Sequence, residues 1–171
     1  MNIVIRPVRI EDSEDINELR RMKGVMENTL AMSSERASRT KKFTENLSND
    51  DYVLVAEVEE ENIKKVVGLV GLHLNTSPRL RHSASIGISV NTQYQSKGIG
   101  RKLLNEILDI ADNWLMLVRI ELGVYCDNEK AIDLYKSLGF EIEGIKKYSA
   151  IRNGKYVNEY IMARYNINEL I

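Results

Sequence analysis

The sequence predicts an α+β protein, a mixed and mostly antiparallel sheet flanked by helices, folded as a single domain over residues 1–171. Three observations carry this. Two β-branched, apolar runs, Tyr52 to Val58 and Val66 to Leu74, are joined by the polar Glu59-Glu60-Glu61-Asn62, the pattern of an antiparallel hairpin. A second pair, Ile145 to Arg152 and Lys155 to Arg164, flanks Asn153-Gly154, a strong signal for a type I′ turn. Between the pairs, a β-like run from Ser85 to Val90 passes through a glycine-containing turn into an amphipathic helix. At 171 residues the chain is long enough for one well-buried core and short for two.

The elements follow in order. Ile3 and Ile5 alternate with Asn2, Val4 and Arg6 in a short first strand that Pro7 limits. Asp12 or Ser13 can cap a helix carrying Ile16, Leu19 and Met22, with Gly24 as its exit. Residues 27–34 read as a loop and Glu35 to Leu47 as a weakly patterned helix, a candidate lid or wall of a site. After the hairpin, Asn75 to Leu80 with Pro78 is a turn, and Arg81 to Val90 is the strand feeding the central motif. The next helix places Ile99, Leu103, Leu104, Ile107, Leu108, Ala111 and Trp114 on one face, with charged residues opposite. Arg119 to Val124 is a further strand. Asp127-Asn128 can cap a helix with Ala131, Ile132, Tyr135 and Leu138 inward, stopped by Gly139.

Composition narrows the function. Charged residues make up 29% and the hydrophobic set 43%, ordinary for a globular protein, and a net charge of -1 gives no electrostatic case for DNA or RNA. No apolar run reaches membrane-spanning length, and Met1 to Arg6 lacks a signal-peptide layout, so a cytoplasmic protein with no membrane partner is expected. The one cysteine, Cys126, with His73 and His82, does not form a metal-binding pattern, and no metal is expected.

The chemistry concentrates at Gln95-Ser96-Lys97-Gly98-Ile99-Gly100. Free N–H groups and the macrodipole at a helix start make an anion site, and glycines let backbone approach the anion. A nucleotide-triphosphate loop is excluded because Arg101 and Lys102 stand where Lys and Ser/Thr are needed. A dinucleotide fingerprint is excluded because position 103 is Leu where a third glycine is needed. What remains is a Gln-x-x-Gly-x-Gly turn after a strand, with Lys97, Arg101 and Lys102 close by.

That turn, then Asn128 with Ala131 and Tyr135, then Leu138-Gly139-Phe140 with Glu143-Gly144, resemble in this order the GNAT superfamily of acyl-coenzyme A-dependent N-acetyltransferases over nearly the full chain. Asp112-Asn113-Trp114-Leu115, Arg119-Ile120-Glu121-Leu122 and Arg152-Asn153-Gly154-Lys155-Tyr156-Val157 look like a bacterial subgroup that acetylates amino acids, near phosphinothricin and spermidine acetyltransferases. The resemblance implies acetyl-CoA as cosubstrate, a small-molecule amine as acceptor, and a sheet that splays at the Arg119–Val124 strand to admit the pantetheine arm. It implies that the backbone of Ile88, Ser89 and Val90 pairs with the arm. The amides of Gln95, Ser96, Lys97, Gly98, Ile99 and Gly100 would hold the pyrophosphate, Asn128 would bond the arm, and Tyr135 would sit near the sulfur. A homodimer is common among such proteins.

In the chemistry so implied, a neutral amine attacks the thioester, a backbone N–H near Val90 stabilises the oxyanion, and Tyr135 protonates the departing thiolate. Taken alone, Tyr135 reads as a core aromatic at helical spacing. The sequence departs from many relatives in having no carboxylate within Ala84 to Ser89, so the base is open among Glu121, Glu159, His82 and water. Glu121 is the candidate catalytic base. Glu27, Asn28 and Thr29 of the early loop, with Tyr156 and Glu159 of the late strands, are the candidate acceptor pocket. Alternatives are a polyamine or protein N-terminal acetyltransferase and a non-catalytic acyl-CoA sensor.

Overall fold

The computed structural model describes residues 2–167; Met1 and residues 168–171, the ends of the expected domain span, lie outside them. Its strands are β1 (Ile3–Pro7), β2 (Asp51–Glu60), β3 (Ile63–Leu74), β4 (Ser83–Val90), β5 (Arg119–Tyr125), β6 (Glu141–Arg152) and β7 (Lys155–Tyr165). They form one seven-stranded sheet in the order β1-β2-β3-β4-β5-β7-β6. Neighbouring strands are antiparallel except β4 and β5, which run parallel and share three rows, from Ser83/Arg119 to Ser85/Glu121, before they separate. The mixed, mostly antiparallel sheet is as the sequence leads one to expect, and its splay at β5 as the resemblance implies.

Helices cover both faces. On one, α4 (Ile99–Asp109) buries Leu103, Leu104 and Ile107 completely against Val70, Leu72, Ile120 and Met162. Each such side chain contributes about 1.5–3 kcal/mol of burial. On the other, Ile16 of α1 (Ser13–Arg21) packs on Val55 and Val66, with Leu69 beside them. The short α2 (Lys23–Met26) and α3 (Ala37–Glu45) stand on this second side, and α5 (Glu129–Lys136) follows β5.

Local departures from expectation have identifiable causes. The hairpin between β2 and β3 is tighter than the four polar residues suggest. Glu59 pairs across from Lys64, and the turn is Glu61-Asn62, both with positive φ. Asp12 does not cap α1. Its carboxylate accepts from the Arg9 N–H at 2.7 Å and from the Arg6 guanidinium at 2.8 Å, a stronger charge-assisted contact. Gly24 is not a helix exit but lies inside α2, where an added Cβ would be 2.7 Å from Thr92 Cγ2. Trp114, expected inward, is 78% exposed. Residues Ile110–Trp114 form a π turn, closed by the Leu115 N–H to Ile110 O, and the extra residue in that turn rotates Trp114 out of the apolar face. At the last hairpin Asn153 and Gly154 both have positive φ, as a type I′ turn requires.

Candidate active site

The parting of β4 from β5 leaves backbone groups without a sheet partner. Hydrogen bonds from Asn75 N–H to Ser83 O and from Asn91 N–H to Val67 O fix the parity of β4, whose odd-numbered residues bond β3. The even-numbered residues therefore turn N–H and C=O toward β5. His82 O, which takes the N–H groups of Val118 and Arg119, confirms the direction. Past Ser85 that partner is gone, so Ile86, Ile88 and Val90 present backbone to the opening. Val90 O accepts from Gln95 Nε2 at 3.1 Å. Ser89, by the same parity, spends its backbone on β3 and offers the opening only its side chain.

The opening is a cavity of about 630 Å³ that continues through the sheet. At one end it meets the turn before α4. Gly98 adopts the left-handed conformation (φ +81°), and the first helical bond runs from Lys102 N–H to Gly98 O, which leaves the N–H groups ahead of Lys102 without helical acceptors. Ser96 also has positive φ, at 61°. Lys130 Nζ lies 2.9 Å from Ser96 Oγ, and Arg101 borders the same end. Amides, a helix start and two cations fit a diphosphate. Gln95, Ser96, Gly98 and Gly100 line the cavity. Ile99 is buried in the core, and Lys97 lies over the Tyr94 ring at 4.7 Å, outside the lining.

α5 forms one wall. Asn128 Oδ1 caps it through the Ala131 N–H at 3.3 Å, and its amide borders the cavity. Tyr135 also borders the cavity while 7% exposed, its ring 5.8 Å from that of Phe140. Burial pushes its phenol up to about 12. No partner for its hydroxyl is found among the described residues, yet that oxygen is not sealed off, so it opens to the cavity.

The far end is bordered by Arg20, Asn28, Thr29, Phe43, Gly71 and His73. The structure thus brings Asn28 and Thr29 to the site. Glu27 stands behind them, its Oε1 accepting from Asn153 Nδ2 at 3.0 Å. Glu159 does not line the cavity, but its carboxylate lies over Gly123, which does. Glu121 is not brought in. It is bound by Arg119 Nη2 at 3.0 Å, and the same guanidinium holds Glu143 at 2.6 Å. Tyr156 is 67% exposed and stacks edge-on against Tyr148. His82, Arg79 and Arg81 are exposed and outside the lining.

Sequence reasoning missed Lys130, Arg20 and His73. His73 Nδ1 is 2.6 Å from Asp51 Oδ1, a contact that, with bonds from Ser48, draws the Asp51 carboxyl down to about 2. The available signal was glycine inside strand patterns, at Gly71, Gly87 and Gly123, which marks close approach.

Comparison with known proteins gives a family match over residues 17–140, to the acetyltransferase (GNAT) family. The chain is 37% identical over 164 residues to the L-amino acid N-acetyltransferase AaaT of Escherichia coli (strain K12), covering 95% of this chain and 97% of that one. It is 26% identical over 161 residues to the spermidine N(1)-acetyltransferase of the same organism, covering 92% and 82%. The crystal structure of spermidine N-acetyltransferase from Vibrio cholerae, in complex with CoA and spermine, superposes with a TM-score of 0.83 at 26% identity, covering 99% of this chain and 98% of that one.

Proposed function

Because the chain belongs to the GNAT family of acetyltransferases and so uses acetyl-CoA, we propose that it acetylates the primary amine of an amino acid by direct attack on the thioester. The observation that carries the acceptor class is the charge of the cavity wall. Among the described residues no Asp or Glu lines it, whereas Arg20 at the far end and Arg101 and Lys130 at the turn before α4 do, and the one carboxylate placed over the floor, that of Glu159 at Gly123, stands outside the lining. A polyamine needs a carboxylate for each of several ammonium groups, while an amino acid needs one for its single amine and a cation for its own carboxylate. Arg20 can serve. Its Nε and Nη2 are held by Glu35 at 2.8 and 3.2 Å, and Nη1 has no partner among the described residues. The similarity to AaaT supports the same class.

The residues divide the work along the cavity. The free N–H groups of the turn at Ser96 to Gly100, with Lys130 and Arg101, hold the diphosphate, and the exposed backbone of Ile88 and Val90 aligns the arm as an added strand would. Asn128 bonds the arm from the opposite wall. Bound there, acetyl-CoA supplies the activated acetyl group. A backbone N–H at Ile88 or Val90 donates to the carbonyl oxygen as it gains charge, and Tyr135 donates to the sulfur as it leaves. Asn28 and Thr29 border the acceptor, and Glu159 orients its amine. Holding the two reactants in line supplies much of the acceleration.

Thiol release from acetyl-CoA across a panel of amino acids and polyamines tests the reading. Turnover with amino acids and little with spermidine is expected. The reverse order assigns a polyamine acceptor, the class named for two of the relatives above.

A further inference from the structure

The parity that frees the edge of β4 also builds a floor. Gly71 on β3 pairs with Gly87 on β4, and the offset between β4 and β5 puts Gly123 across the opening from Gly87. All three line the cavity. Side chains cover the two outer glycines. The His73 imidazole folds back along β3, with Nε2 2.9 Å from where a Cβ on Gly71 would sit, and Glu159 Oε1 occupies the space of a Cβ on Gly123. Above Gly87 nothing lies within 4 Å of the Cβ position.

Both covering groups are oriented. Asp51 Oδ1, 2.6 Å from His73 Nδ1, can only accept, so Nδ1 carries the hydrogen of that contact and the neutral form of the ring has its lone pair on Nε2. Glu159 Oε2 takes the Ser149 hydroxyl, which leaves Oε1 over the floor. We propose that the acceptor amine binds above Gly87, between His73 Nε2 and the Glu159 carboxylate, and that His73 is the general base that takes its proton. This rests on the transferase reading above and adds to it the residue that the strand carboxylate of many relatives would otherwise be.

The proton balance closes. The ammonium gives one proton to Nε2, and the imidazolium so formed is paired with Asp51. The freed lone pair forms the new C–N bond as the C–S bond breaks. Of the two protons that nitrogen loses, one leaves through His73 to solvent and the other replaces the one Tyr135 gives to sulfur. The products are amide, thiol and one proton. The charged and titratable groups around this end are Asp51 from β2, Arg20 from α1 with its partner Glu35, Tyr125 from β5 with Arg152 over its ring, and Glu159 from β7. β4 faces it with Ser85 and Gly87, beyond which Glu121 on β5 is tied to Arg119. α3 and the loop after α2 contribute the uncharged Phe43, Asn28 and Thr29.

The test is kcat/KM against pH with an amine that the panel turns over, in wild type and variants, beside calorimetry with CoA. His73→Gln should lose roughly 100-fold to 1,000-fold near neutral pH and recover part of it at high pH, where the amine deprotonates unaided, with CoA affinity unchanged. Asp51→Asn removes the carboxylate that holds the Nδ1 hydrogen, so kcat/KM should fall and the ring should no longer be fixed as Nδ1–H. A merely structural role for Asp51 would lower the rate and leave the Nδ1–H ring in place. Gly71→Ala, whose methyl displaces the ring, should lower kcat/KM in a protein with unchanged melting temperature. With two histidines in the chain, the imidazole nitrogens of His73 can be assigned by NMR, and an Nδ1–H ring that responds to added amine is expected. An Nε2–H ring, or wild-type kinetics in His73→Gln, overturns the proposal and leaves acetyl transfer standing. If Glu121→Gln shows the loss instead, the base is Glu121. A wild type that acetylates no amine of the panel overturns the transferase reading, and this one with it.

Discussion

Tyr135 combines two properties that a packing residue would not need together: a ring held in the core and a hydroxyl open to the cavity. Phe fills the same volume, so Tyr135→Phe should leave stability and CoA affinity close to wild type and lower kcat by roughly tenfold to a thousandfold. A phenol raised to about 12 stays protonated across the working range, so the loss should be the same at roughly pH 6 and pH 9. An unchanged kcat at saturating substrate would make it a core aromatic after all. Asp51 gives a residue-scale prediction about stability. Its carboxyl is drawn from 3.8 to about 2, first by the bond to His73 and then by Ser48. A depressed folded value means that the stabilisation is present above the ordinary carboxylate range and lost as pH falls through about 2. Thermal melts should therefore show a gap between wild type and Asp51→Asn near neutral pH that closes in strong acid. A gap that persists there would assign the difference to packing.

At the scale of elements, α4 is the piece on which both core and cofactor end depend. Leu104 is fully buried in the main apolar cluster, and Leu104→Ala should cost about 2–5 kcal/mol by denaturant titration. The helix start would feel that loss only through the fold. Gly100 is different. A Cβ there would touch Leu134, Ile88 and Val90 at 3.4–3.9 Å, the groups that border the opening, so Gly100→Val should narrow the gap and weaken CoA binding with a smaller loss of stability. Calorimetry with unchanged affinity would sink this. Elements of this kind were legible in the sequence because a helix face, a β-branched run, an Asn-Gly turn and a glycine pair each report a local preference. What stayed illegible was set by tertiary geometry. The π turn that turns Trp114 outward leaves no mark in apolar spacing. Arg119, two residues from Glu121 on the same strand face, offers an ion pair in the sequence itself, but that this pair and not the cavity holds Glu121, with Glu143 on the same guanidinium, only the structure shows. The pairing of His73 with Asp51 joins two strands across a hairpin, and only the register of β2 on β3 shows it. The turn before α4 was legible because its glycines and free N–H groups are local to one stretch, whereas Lys130, which joins it from α5, and the far end of the cavity, built by segments from α1 to β7, were legible only in part.

The whole molecule closes the acceptor end by joining segments far apart in sequence. Arg152, at the tip of the β6–β7 hairpin, is bound to Asp127, donates to Glu27 O at 3.2 Å and lies over the Tyr125 ring at 5.5 Å. Its neighbour Asn153 holds the Glu27 carboxylate, and the Tyr125 hydroxyl reaches Thr29 O at 3.4 Å. One hairpin tip thus fastens the loop that carries Asn28 and Thr29 into the cavity. The cofactor end shares none of these contacts, since its groups come from β4, the turn before α4 and α5. Arg152→Met keeps the length of the side chain and removes the charge and its bonds. A charged hydrogen bond of this kind is worth about 1.5–3 kcal/mol, reduced by solvent because the Asp127 side chain is 60% exposed. The acceptor KM should therefore rise by roughly threefold to tenfold, with CoA affinity unchanged and faster hydrogen exchange at the amides of residues 27–29. Equal losses at both ends would show that Arg152 supports the fold as a whole. Acceptor KM and exchange rates that match wild type would show that the loop holds its place without the clamp.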